Sequence, residues 1–176
     1  MMGHYTTRAD YTLRSGGVLL SLSNRDGPAN ESRDFGPTHK SAALDAKDMA
    51  SIPEDDRDLF EKKTFAHVAT MLPDGMPHVT PVWIGYDADE NRLLVNTERH
   101  RRKAKNVEND PRVGVSMTDP DDPYRALSVV GEVDEITTEG AREHIDELSQ
   151  RYTGEEYAPE IQSERVLLKI RPDRVL

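Results

Sequence analysis

The stretch that decides the fold is AHVATMLPDGMPHVTPVW, residues 66–83. It holds an apolar run, a Pro-Asp-Gly turn signal at residues 73–75, and a second apolar run that continues to Tyr86. Because proline, aspartate and glycine each favour turns, a break of this kind between two β-prone runs predicts a hairpin. Pro81 has no amide donor, so we expect the second strand at an edge of a sheet or at a bulge.

Working outward from the hairpin, apolar alternation and turn signals predict further strands and a few helices. The other predicted strands are residues 92–97, 112–117, 126–136 and 165–170. The predicted helices are a short one at 53–61, a basic one that ends near Asn109, and one that Thr138 caps and that runs to about Tyr152. Gly131 marks a bend or a close approach within its strand. Consecutive hairpins favour antiparallel pairing, so we predict a mainly β (α+β) fold, a six-stranded antiparallel barrel with flanking helices.

The overall charge limits the partners of the protein. There are 23 basic and 33 acidic residues, which give a formal net charge of −10. Nucleic acids and anionic membranes require a basic surface, so neither is expected as a partner. Cysteine is absent and no apolar run is long enough to span a membrane. We therefore expect a cytoplasmic protein, and the acidic surface with its excess of arginine over lysine is typical of a halophilic one.

Residues 1–48 differ from the rest of the chain in charge and in pattern. They carry six basic and six acidic residues, so the whole acidic excess lies in residues 49–176. Their apolar residues are too scattered to bury enough surface to offset the entropy of ordering. We predict a disordered N-terminal extension, with Met49 as a candidate natural start, and one folded domain over residues 49–176.

A basic segment follows the predicted strand 92–97. Five lysines and arginines fall among the seven positions 99–105. The amide groups and the dipole of a helix that begins there would favour an anion, and arginine suits phosphate oxygens, so one interpretation is a phosphate site. The other is a solvated helical face that forms local ion pairs with Glu98 and Glu108. The residues alone leave both interpretations open.

The motifs, taken in order, resemble one known group of proteins. These motifs are AHVATMLPDGMPHVTPVW at 66–83, LLVNT at 93–97 and RRKAKNVENDPRV at 101–113. Their order resembles the pyridoxamine 5′-phosphate oxidase-like split β-barrel superfamily. The residues DPDDPYR at 119–125, followed by VGEV at 130–133, are most similar to its deazaflavin (coenzyme F-420)-dependent oxidoreductase branch.

The resemblance implies an FMN-binding type of split barrel that forms a homodimer, with a cofactor between the protomers. The implied cofactor is coenzyme F-420, with FMN as the alternative, and the implied activity is hydride transfer to a small conjugated acceptor. Positions that match the wall of the cofactor ring are Val79, Thr80, Pro81 and Val82. Positions that match the phosphate region are Asn96, Thr97, Arg101, Arg102 and Lys103.

The sequence alone leaves other functions, and other roles for single residues, open. The alternative functions are an FMN-dependent pyridoxamine 5′-phosphate oxidase-type enzyme and a non-catalytic module that binds flavin or haem. Trp83 is either a core aromatic or a wall of the cofactor slot. His67 and His78 are isolated on strands, and no spacing of residues resembles a metal site. No nucleophile or carboxylate pair identifies a catalytic residue, which suits an enzyme whose cofactor carries the chemistry.

Overall fold

The computed structural model describes residues 49–176, so the predicted extension over residues 1–48 lies outside the described residues. A 3-10 helix at Glu54–Phe60 precedes the sheet. The strands are β1 (Ala66–Met71), β2 (Pro77–Val82), β3 (Ile84–Asp87), β4 (Arg92–Glu98), β5 (Arg112–Thr118), β6 (Ala126–Thr137) and β7 (Arg165–Val175). The helices are α1 (Arg102–Asn109), between β4 and β5, and α2 (Ala141–Thr153), between β6 and β7.

The seven strands form one antiparallel sheet in the order β2-β1-β5-β6-β7-β4-β3. Its two edge strands, β2 and β3, follow one another in the chain with only Trp83 between them. The sheet must therefore curl so that its edges meet, which gives the split barrel that the sequence predicts. The predicted count of six strands was one too low, because the run 78–86 divides at Trp83: β2 pairs with β1, and β3 pairs with β4.

Alternation along the strands fills the barrel interior. In β5, for example, Val113, Val115 and Met117 are buried while their neighbours are not. The predicted close approach at Gly131 is confirmed, because a Cβ atom there would collide with the carbonyl oxygen of Arg171. Pro81 lies, as expected, in an edge strand that pairs on one side only.

The helices cover the barrel. Helix α1 buries Ala104 and Val107, and its Asn106 donates a hydrogen bond of 2.9 Å to the Thr70 hydroxyl of β1. Helix α2 begins at Ala141 after Gly140, which has φ +67°, so the prediction that Thr138 caps it was wrong. No helix in residues 49–176 is long and apolar enough to cross a membrane.

A group of five side chains, which we call the charged clamp, ties the 3-10 helix to the loop between β5 and β6. Its members are Asp58, Lys62, Asp119, Asp121 and Arg125. Asp119, which is 4% exposed, accepts from the Lys62 ammonium at 2.7 Å and from the Arg125 guanidinium at 2.7 Å. The hydrogen bonds from Lys62, the Asp121 amide and Arg125 lower the pKa of Asp119 to about 2.

Candidate functional site

A cavity of about 360 Å³ opens where the two sheet edges meet. The chain reaches it from the seam between β2 and β3, the end of β4, the start of α1, one face of α2 and the start of β7. Its lining residues are Phe65, Pro81, Val82, Trp83, Asn96, Thr97, Glu98, Arg101, Lys103, Ile145, Leu148, Tyr157 and Arg165. These residues divide into an apolar half and a cationic half.

The apolar half is formed by the seam and by α2. Trp83 stacks on Tyr152 with ring centroids 4.9 Å apart and an interplanar angle of 18°. Ile145 and Leu148 face the cavity from the apolar stripe of α2. Trp83 is only partly buried and lines the cavity, so of its two interpretations the wall of a slot agrees with its position. A flat apolar surface of this kind suits a planar ring.

The cationic half lies where β4 ends and α1 begins. Glu98 is the last residue of β4, Arg101 is the N-cap of α1, and Lys103 lies in its first turn. The amide groups of a first turn have no acceptor within their own helix, and the helix dipole favours negative charge there. Two cationic side chains at the start of a helix therefore border the same part of the cavity.

Lys103 is a cation without an anionic partner. Among residues 49–176, its ammonium forms no hydrogen bond or ion pair. Burial lowers its pKa from the usual value, and the positive charge of Arg101 lowers it further. A partly buried charge normally has a counter-charge, so this position fits an anionic group of a bound molecule.

Arg165, at the start of β7, supplies a third cation, and its side chain is 9% exposed. It donates to the Asn96 side-chain oxygen at 2.7 Å, and its guanidinium carbon lies 4.4 Å from the centre of the Tyr157 ring. The Asn96 amide nitrogen in turn donates to the Ala141 carbonyl at 2.6 Å. The Nε atom of Arg165 is buried and has no partner in the described part of the chain. Arg165 is thus held rigidly, with one donor unused.

Glu98 places a carboxylate among these cations, and it is 2% exposed. It accepts hydrogen bonds of 2.8 Å from the amides of Gln162 and Ser163. Burial alone would raise its pKa, but these two hydrogen bonds and the charges of Arg165 and His100 outweigh burial and hold the pKa below its usual value. Glu98 is therefore ionised at neutral pH and fixes the segment that precedes β7.

The structure brings together most of the predicted site residues. Six of the nine line the cavity: Pro81, Val82, Asn96, Thr97, Arg101 and Lys103. The lining does not include Val79, which is 55% exposed, or Thr80 and Arg102. Arg99 follows the solvated interpretation of the basic segment, because it pairs with Glu164 at 2.6 Å and with Glu108 at 3.2 Å.

Sequence reasoning missed two charged members of the site. Glu98 was considered only as a surface ion-pair partner, and Arg165 only as part of the closing strand. The signal available for Arg165 is a charged residue directly before the apolar run Val166–Leu168, where a buried strand begins. Metal ligation has no support in residues 49–176, where no group of three His, Asp or Glu side chains could hold an ion.

The described residues thus form a split barrel with a half-apolar, half-cationic cavity at its seam. Comparison with known proteins identifies the family. The family model for pyridoxamine 5′-phosphate oxidase matches residues 52–176, and the chain belongs to that family. No curated protein matches the chain at a significant level.

Several solved structures are similar to the chain. An F420 reductase is 32% identical, with a TM-score of 0.63, and the match covers 71% of this chain and 98% of that chain. A conserved hypothetical protein from Mycobacterium tuberculosis is 26% identical, with a TM-score of 0.55, over 73% of this chain and 84% of its own. HupZ from Group A Streptococcus, 24% identical with a TM-score of 0.53 over 70% of this chain and 91% of its own, shares the fold. The predicted superfamily and its F420-type branch are confirmed.

Proposed function

We propose that the protein is an oxidoreductase that binds coenzyme F-420 in the cavity and uses it for hydride transfer to a small conjugated acceptor. The observation that carries the proposal is the ammonium of Lys103, which has no partner among residues 49–176 and lies beside a flat apolar slot. A ligand that fills both halves needs a planar ring and an anionic group, and a phosphorylated flavin or deazaflavin has both. The 32% identity to an F420 reductase favours the deazaflavin.

Each half of the cavity has a part in this proposal. Trp83, Ile145 and Leu148 exclude water from the ring and fix its plane. Lys103 and Arg101, with the first-turn amides of α1, bind the phosphate. The bound reduced cofactor supplies the hydride, and the protein contributes position and electrostatics. The predicted contacts of Val79, Thr80 and Arg102 stay predictions.

We also propose that the protein is a homodimer and that a second copy completes the cofactor site. Two apolar side chains at the edge strand β2 are exposed. Met76, just before the strand, is 61% exposed, and Val79, on the strand, is 55% exposed. Exposed apolar side chains at the edge of a sheet are suited to burial in an interface. Sedimentation analysis should give twice the mass of the chain; a monomer at micromolar concentration contradicts this proposal.

Fluorescence titration tests the choice of cofactor. Purified protein should bind F-420 more tightly than FMN, and protein purified from its natural host should show a deazaflavin absorption spectrum. Tighter binding of FMN would favour the pyridoxamine 5′-phosphate oxidase-type enzyme, which the family assignment supports. The failure of both cofactors to bind would refute the proposed function.

Turnover separates an enzyme from a binding module. Protein loaded with reduced cofactor should oxidise it when at least one of a panel of enones, quinones and tetrapyrroles is added. A cofactor that binds but stays reduced with every member of the panel would instead support a non-catalytic flavin- or haem-binding function.

A further inference from the structure

The cationic half of the cavity contains one negative charge that phosphate binding does not explain. Glu98 lines the cavity, and it lies beside Arg101 and Arg165. A site built only for affinity toward an anion would have no carboxylate here, because like charges repel. Glu98 holds the segment at Gln162 and Ser163, and its charge in addition opposes an anionic ligand.

The surrounding cations, with His100 at 3.6 Å from Oε2, lie within ion-pair range of this carboxylate but form no hydrogen bond with it. Its Oε1 atom lies 3.6 Å from Arg101 and 3.8 Å from Arg165, which is longer than a hydrogen bond. Its short contacts, at 2.8 Å, are the amides of Gln162 and Ser163, and both involve Oε2. Backbone amides orient a carboxylate without adding a full positive charge, so the charge of Glu98 acts on the cavity by reducing the positive potential of Arg101 and Arg165.

We infer that Glu98 is a specificity-determining residue that favours a singly charged phosphodiester over a doubly charged phosphomonoester. The inference rests on the proposed function, because it concerns the phosphate of the bound cofactor. A phosphomonoester such as that of FMN carries nearly two negative charges at neutral pH, whereas the phosphodiester of F-420 carries one. Repulsion by a fixed carboxylate grows in proportion to ligand charge, so Glu98 penalises the monoester more.

A purely structural role for Glu98 makes a different prediction. If its only effect is to hold the segment around Gln162 and Ser163, its loss should weaken every ligand of the cavity by a similar factor, with or without a phosphate. If Glu98 instead selects ligands by charge, its loss should change the ratio of the affinities for ligands of different charge. The two roles are therefore distinguished by comparing ligands that differ only in phosphate charge.

The experiment compares the wild-type protein with Glu98→Gln, which removes the charge and keeps an oxygen acceptor for the two amides. Inorganic phosphate and dimethyl phosphate at pH 8 serve as the doubly and singly charged probes. The quenching of Trp83, the one tryptophan of the chain and a wall of the cavity, reports binding. Glu98→Gln should improve the affinity for inorganic phosphate relative to dimethyl phosphate by roughly tenfold, or about 1.4 kcal/mol.

Two further variants control the measurement. Glu108→Gln removes a carboxylate that pairs with Arg99 outside the cavity lining, and it should leave the ratio unchanged. Glu98→Asp keeps the charge on a shorter side chain, and it should keep the ratio near that of the wild type. An unchanged ratio in Glu98→Gln, or an equal change in Glu108→Gln, would overturn the inference.

Cofactors extend the test and separate it from the proposed function. The ratio of FMN to riboflavin affinity measures the contribution of a monoester, and the ratio of F-420 to its phosphate-free deazaflavin measures that of a diester. Glu98→Gln should raise the ratio of FMN to riboflavin affinity more than it raises the ratio of F-420 to deazaflavin affinity. If no flavin binds but the probe ratio shifts, the proposed function fails while the charge selectivity stands; if flavins bind and neither ratio shifts, the selectivity fails alone.

Discussion

The cavity and the charged clamp both contain several cations, but the two regions differ in how many of these cations have an anionic partner. In the clamp, Lys62 and Arg125 each contact more than one aspartate, and both contact the buried Asp119. In the cavity, Lys103 has no anionic partner in residues 49–176, and Arg165 has an unused donor. The clamp cations are thus paired within the fold, whereas among the described residues Lys103 and one donor of Arg165 have no partner.

The comparison shows that the pairing of a cation, and not its place in a basic run, indicates its role. Arg99 and Lys103 belong to the same basic segment, four residues apart. Arg99 is occupied by two glutamates, whereas Lys103 points into a cavity. Paired surface charges contribute little to stability or binding, so the two residues should respond differently to mutation.

The largest expected effect is on ligand binding by Lys103→Ala. The loss of one charge-assisted contact, worth about 1.5–3 kcal/mol, should weaken F-420 binding by roughly 10- to 100-fold. The melting temperature should not fall, because removing a partly buried, unpaired charge costs the fold nothing. Fluorescence titration and thermal unfolding measure the two quantities. The matched control is Arg99→Ala, which should change the dissociation constant by less than about twofold; equal losses in both variants would mean that pairing does not determine the role.

The second largest expected effect is a loss of thermal stability when the charged clamp is disrupted. Asp119→Asn leaves two cations without their shared buried partner, so we expect the melting temperature to fall by roughly 5 °C. Cofactor affinity should stay within about twofold of the wild type, because no clamp residue lines the cavity. Calorimetry and the same titration measure both. An unchanged melting temperature would show that the clamp contributes nothing to stability.

The smallest expected effect is the dependence on acid pH of the difference in melting temperature between the wild type and Asp119→Asn. The pKa of Asp119 is lowered from its ordinary value of 3.8 to about 2, so its stabilising contribution is complete above about pH 4 and is lost as the pH falls toward 2. The gap in melting temperature between the wild type and Asp119→Asn should therefore be constant from pH 7 to 5 and should narrow below pH 4. A gap that persists at pH 2 would contradict the ion-pair explanation.

Much of the fold could be predicted from the sequence because its signals are local. The Pro-Asp-Gly turn, the alternation of β5 and the close approach at Gly131 depend on a few neighbouring residues. The division of the second strand at Trp83 was missed, because it depends on closure of the sheet between strands distant in the chain. Local patterns do not report such closure.

The site was predictable to the extent that it lies in one segment. Lys103 and Arg101 belong to a basic run that is visible in the sequence, and both line the cavity. Arg165 enters from β7, more than 60 residues later, and its hydrogen bond to Asn96 is a tertiary contact. The pairing that separates Arg99 from Lys103 is also tertiary, so composition alone could not distinguish an unpaired cation from a paired one.

The junction at Trp83 has a consequence for how the cavity can move. Because a single residue links the two edge strands, the end of β2 and the start of β3 are two Cα–Cα steps apart and cannot separate by more than about 7 Å without breaking their pairing with β1 or β4. The seam between β2 and β3 is therefore a side of the cavity that cannot open. The opposite side of the cavity consists of α2 and of the segment that Glu98 holds by two amide hydrogen bonds, and neither is joined to the seam by so short a stretch of chain.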